Sequence, residues 1–410
     1  MAEPAPLLCD LTQSWSQVGG GVGTYLRAKR RHILGHSAAR HLLILPGARD
    51  ATLVEAGGRA ITRLIASPKV PGSPNYRLML RNRAVRAALD EYRPALIECQ
   101  DSYNLPWAAI GHRRAHPDVA LVAAYCTDFP TVYVERPWSP LVGASLASGM
   151  RRLADRYCAL LYRQFDVLFA MSEHGGANRL RGLGLDPAVV PLGVELDDFS
   201  PARRDPALRA SLGLADDDKL LIYAGRLDRE KQPAVVVEAF RRLALRGGAR
   251  LVLLGDGPLR AGFAALGDPA IVTPGYVSDR ADLARWLASA DLYVSAMADE
   301  TFGISVIEAQ ASGLPVVGVA AGAMVDRVPP ALGRLGPVGD AAAMADNIAA
   351  MLRLDLGEIG RQARGHALGF RWSATMEALF NHVYPAAFAA AARRAGAAQC
   401  ERGSTAAVRP

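Results

Sequence analysis

Two glutamates with seven residues between them, Glu300 and Glu308, bracket a turn at Gly303 that opens a helical segment near Ile304 or Ser305. The apolar run at 292–294 ahead of them reads as a strand, so the stretch runs strand, acidic loop, helix N-terminus. In an open α/β sheet, ligands sit outside the carboxyl ends of the strands, and a helix start there offers unpaired N–H groups and a positive dipole end to an anion. The amides of Gly303, Ile304 and Ser305 are therefore candidate phosphate donors. Carboxylates accept hydrogen bonds from vicinal sugar hydroxyls, so this layout can hold a phosphate between two hydroxylated rings. The same residues have plainer readings. Ser305-x-x-Glu308 fits a capping box, Glu300 fits a solvated loop acid, and the motif alone does not choose between these uses.

A second charged turn follows another apolar run, at 220–224. It reads Gly225-Arg226-Leu227-Asp228-Arg229-Glu230-Lys231, with Pro233 well placed for the first turn of a helix. Arg226 offers a planar fork and Lys231 a point charge, both at a strand's carboxyl end where a phosphate would sit. As single surface cations they need no ligand. A third turn, Gly19-Gly20-Gly21-Val22-Gly23-Thr24, follows the first strand. Glycines there let backbone approach a ligand closely, but the spacing is not G-x-G-x-x-G and no acid stands about twenty residues on.

These turns need a scaffold that brings strand ends together. Apolar runs at 7–11, 41–45, 60–65, 95–99, 120–125, 167–170 and 189–192 alternate with amphipathic stretches, as do runs at 220–224, 250–254, 270–273, 292–295 and 316–319. Helices are expected from about Pro233, Leu259, Asp282, Ser305 and Ala341. This alternation predicts an α/β protein of two Rossmann-like parallel-sheet domains facing a central cleft. The expected division is 1–192 for the first domain, a Pro/Asp-rich linker at 193–218, and 219–370 for the second. A C-terminal helix at 371–388 and a disordered Ala/Arg tail at 389–410 complete the expectation. Asp216-Asp217-Asp218 lies before a strand, the wrong end for a metal site, and reads as a solvated turn.

At 410 residues and 50% hydrophobic content, the chain is long enough for two cores. No run of eighteen apolar residues is present, and the first ten residues do not read as a signal peptide. Five cysteines, odd in number and without metal spacing, suit reduced thiols and a cytoplasmic location. Residues 1–190 hold 23 Lys+Arg against 15 Asp+Glu, a balance of +8, whereas residues 191–370 hold 19 against 23, or −4. Basic clusters at 27–31, 77–86 and 151–152 point to an anionic partner such as a lipid headgroup at a membrane face, with solvated helix faces as the plainer account. Nucleic acid is disfavoured, because no aromatic-interleaved basic motif or zinc spacing accompanies the charge.

Taken together, Glu300-x7-Glu308, Gly225-Arg226-Leu227 with Lys231, Gly255-Asp256-Gly257-Pro258, Gly275-Tyr276-Val277 and Val190-Pro191-Leu192-Gly193-Val194-Glu195 resemble the retaining GT-B glycosyltransferases of family 4 (glycosyl transferases group 1) over residues 5 to about 385. The resemblance implies transfer of a hexose from a nucleotide-diphosphate sugar to a lipid or glycan acceptor, with no metal and no cofactor. It implies that Arg226 and Lys231 bind the diphosphate, Glu308 the ribose hydroxyls and Glu300 the donor sugar. Gly303, Ile304 and Ser305 would meet the phosphate, Tyr276 and Val277 the base, and Gly20 and Gly21 would close the site from the first domain. Tyr125-Cys126-Thr127-Asp128-Phe129-Pro130 resembles the family's Tyr-His-Thr-Asp-Phe-Pro run, with Cys126 where the family's histidine approaches the donor sugar and Asp128 on the acceptor side. That departure keeps a catalytically silent nucleotide-binding homologue open. A GT-B nucleotide-sugar epimerase is disfavoured by the paired glutamates.

Overall fold

The computed structural model describes residues 5–16, 20–70, 73–243 and 248–406. They form two compact units. One comprises the chain up to Met171, Gly176–Val190 and everything from Thr375 on; the other comprises Ser172–Gly175 and Pro191–Ala374.

In chain order the strands of the first unit are β1 Leu7–Leu11, β2 Arg40–Gly47, β3 Ala51–Glu55, β4 Ala60–Ala66, the short β5 Lys69–Val70 and β6 Ser73–Arg77, β7 Leu96–Cys99, β8 Ala120–Tyr125, β9 Val167–Ala170 and β10 Ala188–Val189. Eight of them form one sheet in the order β10-β9-β8-β7-β1-β2-β4-β3, while β5 and β6 pair with each other. The sheet is parallel except for β3, which runs antiparallel to β4 at the edge. Strands such as β8 are buried on both faces, which is why they read as unbroken apolar runs. β3 was not legible in the sequence: it is largely exposed, and its residues do not alternate.

The second unit has one six-stranded sheet: β11 Lys219–Ala224, β12 Ala249–Leu254, β13 Ile271–Gly275, β14 Leu292–Val294, β15 Val316–Val319 and β16 Gly333–Gly336. All pairs are parallel, and the order is β13-β12-β11-β14-β15-β16. Numbered within the unit this is 3-2-1-4-5-6, the doubly wound order whose reversal point, here between β11 and β14, is where ligands bind. The unexpected β16 has four residues, two of them glycine, too few to show a pattern.

Two boundaries differ from the expected ones. The 193–218 segment is no loose linker, because its polar residues are spent on the second unit. Arg209, almost fully buried, reaches Asp291 at 2.8 Å and Arg204 reaches the same carboxylate at 3.1 Å. Asp205 caps the helix Pro206–Ser211 and pairs with Arg285 at 3.2 Å. The expected disordered tail is helical over the described residues, as part of Tyr384–Ala406; residues 407–410 lie outside them. Alanine is the strongest helix former, and this helix docks on the first unit. Ala387 and Ala391 are buried, and Arg394 bonds Asp166 and the carbonyls of Pro117 and Val119.

Charge is buried in the first unit around β1 and β7. Lys29, on the helix Gly21–His36, stands 2.7 Å from Asp10 on β1 and 2.8 Å from Glu98 on β7, all three at most 2% exposed. Tyr25 and Tyr384 each donate a hydroxyl to Glu98, at 2.7 and 2.8 Å, and Gln100 donates to both carboxylates. His41 faces Asp10 through Nε2 at 2.7 Å, while its Nδ1 accepts from Arg30 at 3.2 Å. That fixes a neutral imidazole with its proton on Nε2, and burial indeed lowers its pKa. Burial alone would raise the pKa of Asp10, but Lys29 and His41 outweigh it and hold the carboxyl at about 2.

Lys29→Met should therefore destabilise the fold by about 3–5 kcal/mol in urea unfolding, because it strands two buried carboxylates. Asp10 is held below its usual 3.8, so its contribution is present above pH 3.8 and is lost as pH falls toward about 2. Acid titration of the wild type should show stability declining across that window.

Candidate functional site

In the second unit the carboxyl ends of β11 and β14 carry the charged turns. Beyond β11, the Tyr223 hydroxyl donates to the carbonyl of Arg226 at 2.8 Å and pins the turn. Asp228 accepts from the amide of Lys231 at 3.1 Å, and Gln232 and Pro233 then start the helix Pro233–Arg242. The turn needs small residues around it. A Cβ on Gly255 would stand 1.8 Å from the carbonyl oxygen of Gly225, and one on Gly257 would stand 2.5 Å from that of Leu227. The Gly255-Asp256-Gly257 segment after β12 is thus packed backbone to backbone against the charged turn.

Beyond β14, Lys231 Nζ reaches Glu300 Oε2 at 3.2 Å. Glu300 Oε1 accepts from the amide of Gly303 at 3.1 Å. Burial pushes the Glu300 carboxyl up, but Lys231 and the amides of Gly303 and Phe302 prevail and hold it below the usual range, so it is ionised at neutral pH. Its loop is clamped on several sides. Ala323 N donates to the Glu300 carbonyl at 2.7 Å, and Ser172 Oγ donates to the Thr301 carbonyl at 2.8 Å. Arg327 Nε donates to the Phe302 carbonyl at 2.9 Å while its guanidinium stacks on Phe302 and Phe370.

Gly303, at φ 86°, is the N-cap of the helix Ile304–Ala311, a left-handed position that suits glycine. This corrects two sequence readings. Ser305 is inside the helix and Glu308 is a full turn further, so no capping box forms. The Gly303 amide is taken by Glu300 and is not a free phosphate donor. The amides of Ile304 and Ser305 make no hydrogen bond among the described residues, as expected for a first helical turn. The Tyr293 hydroxyl lies 2.9 Å from Ser305 Oγ and orders that turn.

Glu308 is 5% exposed, with Oε1 3.0 Å from Arg280 Nη2. Burial raises its pKa against the pull of Arg280, and Glu195 and Asp198 push the same way. Arg280 was invisible as a site residue, because an arginine after Asp279 in a helix start looks like any surface cation. Arg226 is half-exposed and held by Asp228 at 2.5 Å and Glu230 at 2.8 Å, so binding a diphosphate requires it to exchange carboxylate partners. Tyr276, exposed, and Val277, half-buried, follow β13, where the Gly275 carbonyl accepts from Gly255 N at 3.0 Å. The second unit therefore gathers Arg226, Lys231, Glu300, Ile304, Ser305 and Glu308 at its reversal point.

The remaining sequence candidates stand in the first unit. Gly20, at φ 100°, precedes the helix Gly21–His36, and Gly21 opens it. Gly19 lies outside the described residues. Cys126 follows β8; burial, then the nearby Glu98 and Asp101 carboxylates, push its thiol well above the usual range, so it is a neutral, weak donor. Asp128 accepts from Thr131 N at 3.3 Å and pairs with Arg179 at 3.2 Å, so an acceptor must share it with that arginine. Among the described residues, one group has metal-ligand proximity, Asp90 with His112 and His116 in the first unit, and Arg86 already holds that carboxylate at 3.0 Å.

Two parallel-sheet units, the second in dinucleotide-fold order with cations and carboxylates at the reversal point, define a GT-B type glycosyltransferase architecture. Solved structures agree on the fold. The chain matches sucrose-phosphate synthase from Thermosynechococcus elongatus with a TM-score of 0.73 at 20% identity, over 93% of this chain and all of that one. It matches an Anabaena protein crystallised with UDP and glucose with a TM-score of 0.67 at 16% identity, over 92% of this chain and 99% of that one.

The family profile described as Glycosyltransferase Family 4 matches residues 19–198, and the one described as Glycosyl transferases group 1 matches residues 218–353. The GDP-mannose-dependent alpha-(1-6)-phosphatidylinositol dimannoside mannosyltransferase of Mycobacterium tuberculosis is 30% identical over 310 residues, 74% of this chain and 75% of that one. The D-inositol 3-phosphate glycosyltransferase of Mycobacterium bovis is 36% identical over 214 residues, 48% of this chain and 44% of that one. The chain belongs to the family 4, group 1 glycosyltransferases and is a glycosyltransferase that uses a nucleotide sugar.

Gly255→Ala should destabilise the protein by at least about 1–3 kcal/mol, the usual cost of overpacking. Gly262→Ala, on the helix Arg260–Ala264 with open space around its Cα, is the control and should leave the melting temperature unchanged or higher.

Proposed function

We propose that this glycosyltransferase moves a hexose of the mannose or glucose type from a GDP- or UDP-sugar to a lipid or glycan acceptor, with retention and without a metal. The observation that carries the reading is the Lys231–Glu300 pair at 3.2 Å beside the first turn of Ile304–Ala311. It sets a cation for the departing diphosphate next to an ionised carboxylate for sugar hydroxyls, with the amides of Ile304 and Ser305 turned to the same anion. GDP-mannose is the first donor to test, since the tuberculosis relative is a GDP-mannose-dependent enzyme acting on phosphatidylinositol dimannoside.

In this mechanism the bond from the sugar's anomeric carbon to the diphosphate oxygen breaks as the bond to the acceptor oxygen forms on the same face. The acceptor hydroxyl proton passes to the departing phosphate oxygen. Charge grows on the diphosphate as the bond lengthens, so Lys231, Arg226 and the amides of Ile304 and Ser305 stabilise the transition state more than the ground state. No protein base is required, which makes a neutral Cys126 compatible with turnover. Glu308, with Arg280 orienting it, accepts from the ribose hydroxyls, and Tyr276 and Val277 border the base. A second reading, a homologue that binds nucleotide without turnover, is motivated by Cys126 and shares the donor site.

Lys231→Ala should lower kcat/KM about ten- to a hundredfold, the worth of one charge-assisted bond, and Arg226→Ala should fall at the low end because Arg226 must give up Asp228 and Glu230 to bind the diphosphate. Steady-state kinetics with GDP-mannose, UDP-glucose and ADP-glucose checks this. Wild-type kinetics in both variants would remove the diphosphate assignment. Absence of turnover with intact nucleotide binding would select the silent reading. The anomeric proton coupling of the product tests retention, and undiminished activity in EDTA tests metal independence.

Glu308→Gln should raise the KM for the donor while the melting temperature holds, since no capping box depends on it. A drop in melting temperature with unchanged donor KM would make Glu308 structural.

A further inference from the structure

Most members of the basic clusters of the first half have partners within the first unit. Lys29 is buried between Asp10 and Glu98, and Arg77 donates to the Ser67 carbonyl. Arg81 pairs with Asp50, Arg86 with Asp90, and Arg151 with Glu135 and Asp155. Arg152, Arg156 and Arg163 are different: they are exposed and have no acidic partner among the described residues. All three lie on or directly after the helix Ala144–Tyr162.

That helix also carries Leu146, Leu153 and Leu160, at 59%, 69% and 61% exposure. Seven residues is about two helical turns, so the three leucines form one stripe, and Arg152, Arg156 and Arg163 lie along its flank. Against this helix pack the segments Pro130–Glu135 and Arg136–Val142, which expose Tyr133, Trp138 and Leu141, the last at 76%. A depression of about 310 Å³ beside the stripe is lined by Phe129, Val134, Met150, Leu153, Ala154 and Tyr157. Exposed apolar side chains grouped with unpaired arginines are the pattern of a helix lying in a bilayer interface.

We propose that the Leu146–Leu153–Leu160 face of the first unit rests on an anionic phospholipid surface. The leucines and Trp138 enter the headgroup boundary, Arg152, Arg156 and Arg163 meet lipid phosphates, and the depression receives part of an acyl chain. This deepens the lipid-acceptor reading and rests on it. Charge argues for lipid over a second copy of the chain. Residues 130–163 hold five arginines and two acids, and both acids, Glu135 and Asp155, are already ion-paired. A second copy would bring the same excess of arginine and no free carboxylate to answer it. The contact is peripheral, because no described helix is long and apolar enough to cross a membrane.

The test is cosedimentation of the full chain with phosphatidylcholine vesicles, with and without phosphatidylglycerol, at low and physiological salt. Two variants accompany the wild type: Leu146→Gln/Leu153→Gln/Leu160→Gln, and Arg152→Glu/Arg156→Glu. Wild-type binding to the anionic vesicles, weakened at least about tenfold in each variant and by salt, is the expected result. Circular dichroism and donor hydrolysis in both variants should match the wild type. Wild-type binding that is absent, equal on neutral vesicles, or unchanged in the variants overturns the proposal. So does a wild-type dimer in sedimentation velocity that the leucine variant dissociates while no vesicle binding occurs. Vesicle binding as expected with no hydrolysis of any donor upholds the face and sinks the transfer reaction, so the two failures are separable.

Discussion

Lys29 is the cation on which the first unit's architecture turns. A parallel sheet buried on both faces has no place for two carboxylates on adjacent strands unless something neutralises them there. Asp10 and Glu98 sit at opposed positions on β1 and β7, and the ammonium at 2.7 and 2.8 Å reconciles them. The cost of dehydrating three charges is offset by geometry, since every member of the group has further partners among Tyr25, His41, Gln100 and Tyr384. What the arrangement secures is register: the first helix, β1, β2, β7 and the C-terminal helix are all tied to one point.

The second unit treats two similar side chains in opposite ways. Glu300 meets a cation and two amides in its loop and is held ionised, whereas Glu308 is enclosed in the helix with Arg280 and two further acids around it and is pushed toward protonation. One strand–turn–helix thus presents two carboxylates of different basicity a few residues apart. That difference comes first from Lys231, which with the amides of Phe302 and Gly303 overcomes burial at Glu300, whereas at Glu308 burial prevails over the pull of Arg280.

Much of this was legible in the sequence. Strands buried on both faces announced themselves as apolar runs, and the glycine-bounded turns with Arg226, Lys231 and Glu300 lay at strand ends, with Glu308 on the helix that follows, as expected. The failures are equally physical. Arg280 and Arg209 looked like surface cations because sequence does not say which acid an arginine will meet. Ser305-x-x-Glu308 mimicked a capping box, but Gly303, free to adopt a positive φ, took the cap position instead. The alanine-rich C-terminal stretch read as disorder by composition, although alanine costs a helix nothing and leaves room for close docking. The first half's positive charge could be counted but not apportioned between ion pairs and surface.

Glu98 holds one hydroxyl from Tyr25, early in the chain, and one from Tyr384, 286 residues downstream of it. On a ribosome these arrive at very different times. At the roughly 5–20 residues per second of protein synthesis, the sheet of the first unit waits many seconds for the helix that completes it, while the whole second unit is being made. During that interval Ala387, Ala391 and Arg394 have yet to cover their positions at β8 and Asp166. The earlier-made unit is therefore the later one to mature, whereas both segments of the second unit, Ser172–Gly175 and Pro191–Ala374, are complete before Tyr384 is made.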